Sequence, residues 1–175
     1  MKIMFLGDVV GISGCSKIMN NLLDLIKENK INFVIVNGEN AAEAGVGLTK
    51  DICEDFFKCG VNVITTGNHV WDQKEIMNFI DKENRLLRPK NLFEPAPGKG
   101  FEIYKDSKDI KIGVLNLMGN VFMKKCDDVF EISKKFLDKY KLKKDYDFLV
   151  VDFHGEITSE KNAIGHFLDG KATLV

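Results

Sequence analysis

The chain has 175 residues, 45% hydrophobic and 29% charged, enough for a domain with a substantial core. Lys and Arg number 25 against 26 for Asp and Glu. The resulting net charge of −1 excludes the broad cationic face that long nucleic acid or an anionic membrane would need, while leaving room for a small phosphorylated ligand. No apolar stretch is long enough to span a bilayer. Asp8 interrupts the first apolar run, so the amino terminus does not read as a signal peptide. Cys15, Cys53, Cys59 and Cys126 form no CxxC pair, and the expectation is reduced thiols in a cytoplasmic protein.

Taken in order, Lys2 to Leu6 reads as a strand ending in Gly7-Asp8. A helix capped by Ser13 or Ser16 should follow to about Asn29, with Ile18, Leu22, Leu25 and Ile26 on its inner face. Asn32 to Val36 is a second buried strand, ending in Asn37-Gly38-Glu39-Asn40, and a Gly- and Ala-rich loop leads to a helix over Lys50 to Lys58 capped by Thr49. Val61 to Asp72 (VNVITTGNHVWD) begins as a β-branched strand and breaks at Gly67-Asn68-His69, after which Asp72 is expected to cap a helix to about Asp81. This strand–helix alternation argues for parallel pairing.

The character then changes. Leu86 to Gly100 holds all three prolines and reads as an irregular loop. Phe101 to Lys105 and Lys111 to Leu117 suit an antiparallel hairpin, and Asp127 to Tyr140 an amphipathic helix with Phe130, Phe136 and Leu137 inward. Asp147 to Phe153 is a buried strand that delivers His154. Thr158 to Asp169 reads as a helix opened by a capping box, and Ala172 to Val175 as the start of a further strand.

Four strand ends therefore carry polar groups: Asp8; Glu39 with Asn40; Asn68 with His69; and His154. Each alone is ordinary turn chemistry. In one parallel sheet their side chains would share the carboxyl edge, where open α/β sheets bind ligands. Carboxylate, amide oxygen and imidazole suit divalent Mn, Fe, Zn or Mg. Glu39 has two oxygens with which to bridge two ions. A pair of ions roughly 3.5–4 Å apart clamps a phosphate and activates water. A histidine kept off the metals can protonate a leaving oxygen.

Five motifs carry a resemblance: GDVVG at Gly7 to Gly11, NGENAA at Asn37 to Ala42, GNHVWD at Gly67 to Asp72, LLRPKN at Leu86 to Asn91 and DFHGE at Asp152 to Glu156. The chain resembles the calcineurin-like metallophosphoesterases, in the bacterial branch of 2',3'-cyclic-nucleotide 2'-phosphodiesterases. That resemblance implies an α/β fold, a four-layer αββα sandwich, with residues 1–175 forming one domain. It implies two divalent ions, iron or manganese first and magnesium or zinc as alternatives. Asp8, Glu39 and Asn40 would hold one ion and Glu39, Asn68 and His154 the other. A metal-bound hydroxide would attack a phosphodiester, with a cyclic nucleotide as the small phosphorylated substrate, and His69 would be the proton donor.

There are departures. The resemblance implies a Gly-Thr-His-Thr-His segment after the position of Val175, with one histidine for each metal, so the domain is expected to be C-terminally incomplete and its exposed edge to favour a homo-oligomer. Cys15 and Asn120 stand near positions where related sequences often carry arginine, which leaves substrate-binding residues unassigned. Val70 stands where the wider superfamily places a carboxylate beside the histidine, and Asp72 is the candidate to orient His69 instead. Two other readings stay open. One is an inactive or regulatory nucleotide- or metal-binding remnant of the same fold. The other is a metal-free flavodoxin-like binder, which leaves Glu39, Asn68 and His154 unexplained.

Overall fold

β-Branched and aromatic runs form six strands and amphipathic runs four α-helices in the computed structural model, which describes residues 1–93 and 95–175. Glu94, within the expected proline loop, lies outside the described residues. Contacts divide the chain into two units, Met1–Leu87 and Arg88–Val175.

In the first unit β1 (Ile3–Leu6), β2 (Phe33–Asn37) and β3 (Val63–Thr65) form a parallel sheet in that order. All five residues of β2 are buried, as the central strand of a covered parallel sheet should be. The register sets Leu6 beside Val36 and Val36 beside Ile64. α1 (Gly11–Asn29) and α2 (Lys50–Lys58) make the crossovers. α2 is capped as expected, with Thr49 Oγ1 accepting from the Ile52 amide at 3.4 Å.

α1 departs from expectation. It starts at Gly11, before Ser13 and Ser16, and its N-cap Val10 makes no side-chain cap bond. The backbone explains the early start: the Val9 amide donates to Asn37 O at 3.1 Å and that of Gly11 to Asn40 O at 2.9 Å. The chain after β1 is thus already tied to the chain after β2. Leu22 is buried but Leu25 is 39% exposed, so the inner face is narrower than the periodicity suggested.

The second unit holds β4 (Phe101–Lys105), β5 (Lys111–Met118) and β6 (Phe148–His154). β4 and β5 form the expected antiparallel hairpin, while β5 and β6 pair in parallel with Met118 beside His154. The carboxyl-edge argument for one sheet therefore holds for β1 to β3 only; β6 belongs to the second sheet.

α3 (Val129–Lys139) is capped by Asp128, whose Oδ1 accepts from the Glu131 amide at 2.8 Å. Its Phe136 packs in a core with Leu115, Leu117, Tyr146, Leu149 and Val151, and with Ile164 and Leu168 of α4 (Thr158–Leu168). α4 has no capping box, because its N-cap is Ile157 and carries no side-chain bond. Ala172 to Val175 contributes only an isolated parallel bridge, Val150 to Leu174.

Candidate active site

Three loops leave the carboxyl edge of the first sheet, and two to five residues past the register Leu6–Val36–Ile64 they carry Asp8, Glu39 with Asn40, and Asn68 with His69. Asp8 is exposed and holds a left-handed backbone at φ +47°, a conformation that Asp tolerates better than most residues and one that concentrates at functional turns. Its Oδ1 accepts from Asn40 Nδ2 at 2.8 Å, and an isolated parallel bridge pairs Val10 with Asn40. Asp8 and Asn40 are thus in direct contact, although 32 residues separate them.

Glu39 is 1% exposed. A carboxylate is stable at such a depth only with donors or a cation beside it. Its backbone is set by two bonds: the Glu39 amide donates to Asn37 Oδ1 at 3.2 Å, and its carbonyl accepts from the Gly47 amide at 2.6 Å. The loop that follows closes on itself, with the Ala42 amide donating to Gly47 O at 2.9 Å and that of Gly45 to Ala42 O at 2.8 Å.

The same loop braces His69. Gly47 has φ +80°, and a Cβ there would lie 2.8 Å from Gln73 Cγ, 3.0 Å from Gln73 N and 3.3 Å from His69 O. Gln73 Nε2 donates to Val46 O at 2.9 Å. Neither Gly47 nor Gln73 was singled out from the sequence; two glycines in AAEAGVGL showed only that a tight loop was coming.

After β3 the chain makes two successive turns, Val70 N to Gly67 O at 3.3 Å and Asp72 N to His69 O at 2.9 Å. These set Asp72 Oδ2 2.5 Å from His69 Nδ1. Asp72 therefore does not cap a helix. The segment beyond is a short 3-10 helix, Lys74–Asn78, preceded by Gln73 with no side-chain cap. Asn68 and His69 are both partly buried at this edge.

In the second unit His154 is partly buried at the end of β6, and its carbonyl accepts from the Gly119 amide at 2.8 Å. Glu160, from the first turn of α4, accepts from the amides of Asn120 at 2.8 Å and Val121 at 3.4 Å. This carboxylate clamp was not read from the sequence.

The LLRPKN motif proves to be scaffold within the second unit for its last four residues. Buried Arg88 donates to the carbonyls of Pro97 at 3.1 Å, Pro89 at 3.0 Å and Ala96 at 3.0 Å. Asn91 Nδ2 donates to Met118 O at 2.7 Å and Asp127 O at 3.0 Å, while its Oδ1 accepts from the Met118 amide at 2.9 Å.

The two positions flagged for missing arginines have local duties. Cys15 is 5% exposed and its Sγ contacts Ala41 O at 3.2 Å; burial pushes this thiol above its ordinary range. Asn120 accepts from the Cys126 amide at 3.0 Å.

The residues at the first edge fit a divalent metal by chemistry: two carboxylates and two amides are hard oxygen donors. Among the described residues no three His, Cys, Asp or Glu side chains gather as a metal cluster, so an ion at this edge would need the amides of Asn40 and Asn68 as well.

A family model for YmdB-like proteins matches residues 4–175. The chain belongs to the YmdB-like family. Membership bears out the resemblance carried by the five motifs. A Bacillus subtilis (strain 168) relative named 2',3'-cyclic-nucleotide 2'-phosphodiesterase is 41% identical over 175 residues, covering 100% of this chain and 65% of the relative. A crystal structure described as a novel phosphatase from Mycoplasma pneumoniae matches with TM-score 0.88 at 38% identity, covering 99% of this chain and 62% of that one. A crystal structure of a hypothetical protein from Thermus thermophilus gives TM-score 0.90 at 34% identity, over 99% of this chain and 66% of that one. The α/β class is therefore established, with two sheets and four α-helices among the described residues. This YmdB-like chain spans 62–65% of the length of the curated relatives it matches. Among the described residues no helix is long and apolar enough to cross a membrane.

Proposed function

We propose that this chain serves a metal-dependent phosphoesterase that hydrolyses phosphodiester bonds of a small cyclic nucleotide. The observation that carries the reading is the convergence of Asp8, Glu39, Asn40, Asn68 and His69 on one sheet edge, with Asp8 and Asn40 in contact and Glu39 buried. The names of the Bacillus and Mycoplasma relatives support the reaction class, and the Bacillus name supports the substrate class.

Asp8, Glu39, Asn40 and Asn68 are the residues that would hold divalent iron or manganese, and the set implied by the resemblance also names His154. Such ions supply Lewis acidity to a phosphate and to the attacking water. Buried Glu39 keeps its carboxylate in one place, because its backbone is bonded on both sides and its loop is closed. Asn40 holds Asp8 by the amide–carboxylate contact. His69 stands at the same edge without being needed as a ligand, and it delivers a proton to the leaving oxygen.

The test is metal content and hydrolysis of the purified chain with manganese or iron(II), using a bis-aryl phosphate and a 2',3'-cyclic nucleotide. Metal bound in wild type and lost in Glu39→Gln, with turnover reduced about 10²-fold or more in His69→Ala, is the expected result. Equal metal content in Glu39→Gln, or unchanged turnover in His69→Ala, would sink the assignment.

A further inference from the structure

The 2.5 Å contact between His69 Nδ1 and Asp72 Oδ2 has a chemical consequence beyond orientation. With Asp72 as a carboxylate, which accepts only, the hydrogen in this bond belongs to Nδ1. The other ring nitrogen, Nε2, is then the acceptor in the neutral ring, and the atom through which a proton enters or leaves. The two side chains are about equally exposed, at 31% and 30%. Water alone would not select this arrangement, since imidazole in water favours the proton on Nε2.

The backbone around the ring leaves little freedom to exchange partners. Val70, next in sequence, is 1% exposed and pins the turn from inside. The Asp72 amide bonds the His69 carbonyl at 2.9 Å, so ring and carboxylate ride on one turn. His69 O faces Gly47, where even a Cβ would approach to 3.3 Å, and Gln73 ties the far side of the turn to Val46. Since Val70 is apolar and buried, no carboxylate can act from that position; it comes from the residue three places after the histidine.

We infer that Asp72 is the positioning residue that fixes His69 as the Nδ1–H tautomer and so makes Nε2 the single proton-transfer atom of the site. The inference rests on the phosphoesterase reading for its catalytic meaning, but the tautomer itself can be measured without any reaction. In the proposed step the ring begins with a proton on both nitrogens; the Nε2–H bond breaks as the leaving oxygen gains that proton, and the neutral ring is left with its hydrogen on Nδ1 against Asp72.

The experiment is a long-range 1H–15N correlation spectrum of the uniformly labelled 175-residue chain without added metal, at alkaline pH where imidazole is neutral. Three histidines give a spectrum simple enough to assign by substitution. The expected result is a pyrrole-type Nδ1 and a pyridine-type Nε2 for His69. In Asp72→Ala the pattern should revert toward Nε2–H, with His154 and His166 unmoved, and Asp72→Glu should restore part of it. If Asp72→Ala does not fold, the near-isosteric Asp72→Asn, whose amide can donate to Nδ1, replaces it and should shift the ring the same way. An Nε2–H wild-type ring, or a His69 pattern indifferent to residue 72, overturns the inference.

Turnover with manganese gives the second readout. Asp72→Ala should lower kcat roughly 10- to 100-fold with KM within about twofold, less than the roughly 10²–10⁴ that a general acid supplies in full. An unchanged kcat in an active protein overturns the positioning role. Absence of turnover in wild type would instead count against the phosphoesterase reading, with the tautomer spectrum still deciding the role of Asp72.

Discussion

Replacing Gly119 by Ala should destabilise the protein only while Glu160 is present. Gly119 does not use left-handed backbone, so alanine meets no conformational penalty there. The obstacle is the Glu160 side chain: a Cβ would lie 2.6 Å from its Cδ and closer still to Oε2. The carboxylate must swing away and surrender the amides of Asn120 and Val121. The bond at 2.8 Å is charge-assisted and worth about 1.5–2 kcal/mol, taking the low end because the loop is exposed. The bond at 3.4 Å adds little. Against this, Gly→Ala restricts the unfolded chain and returns about 0.4–1 kcal/mol.

The expected costs are therefore about 1 kcal/mol for Gly119→Ala and about 1.5–2 kcal/mol for Glu160→Ala. In the Glu160→Ala background Gly119→Ala should be neutral or stabilising by about 0.5 kcal/mol, a coupling of roughly 1.5 kcal/mol. Urea denaturation of the four proteins, read as midpoint and slope, measures it. Equal cost of Gly119→Ala in both backgrounds, within about 0.5 kcal/mol, would refute the clamp.

Gly47→Ala combines a left-handed backbone with a close approach to Gln73, and should cost about 2–4 kcal/mol while lowering turnover through displacement of the His69 turn; urea midpoints and kcat check both effects. Arg88→Lys keeps the charge but loses the planar fork that serves several backbone carbonyls, so the melting temperature should fall by the equivalent of about 2–4 kcal/mol, and a loss under about 1 kcal/mol would contradict the bonding described. Tyr146 is 1% exposed and its hydroxyl has no hydrogen-bond partner among the described residues, so Tyr146→Phe should stabilise by about 1 kcal/mol at pH 7. Burial, then Asp145, pushes this phenol up to about 12. A raised folded value means stability that is intact below the unfolded phenol range near pH 10 and is lost as pH rises toward about 12, and denaturation across that window should show a shallower loss in the phenylalanine variant.

The sequence by itself determined which residues stand at the strand ends. Alternation of apolar runs with helical periodicity encodes burial, and burial fixes where β1, β2 and β3 stop, so Asp8, Glu39, Asn40, Asn68 and His69 were legible as candidates. Thr49 was readable as a helix start by its cap chemistry, and the helix expected from Asp127 has its cap one residue on, at Asp128.

Tertiary structure decided what periodicity cannot carry. Asp72 has the chemistry of a helix cap, and only the two turns after β3 set it on His69 instead. Ser13 and Ser16 lost the start of α1 to a backbone ladder between the chains that follow β1 and β2. The grip of Glu160 on Asn120 spans 40 residues and that of Asn91 on Met118 spans 27, distances over which local pattern holds no information. His154 was read as one more strand end of a single sheet, but the hydrogen bonds of β6 go to β5, and partner choice among apolar strands is settled by packing and register rather than by composition.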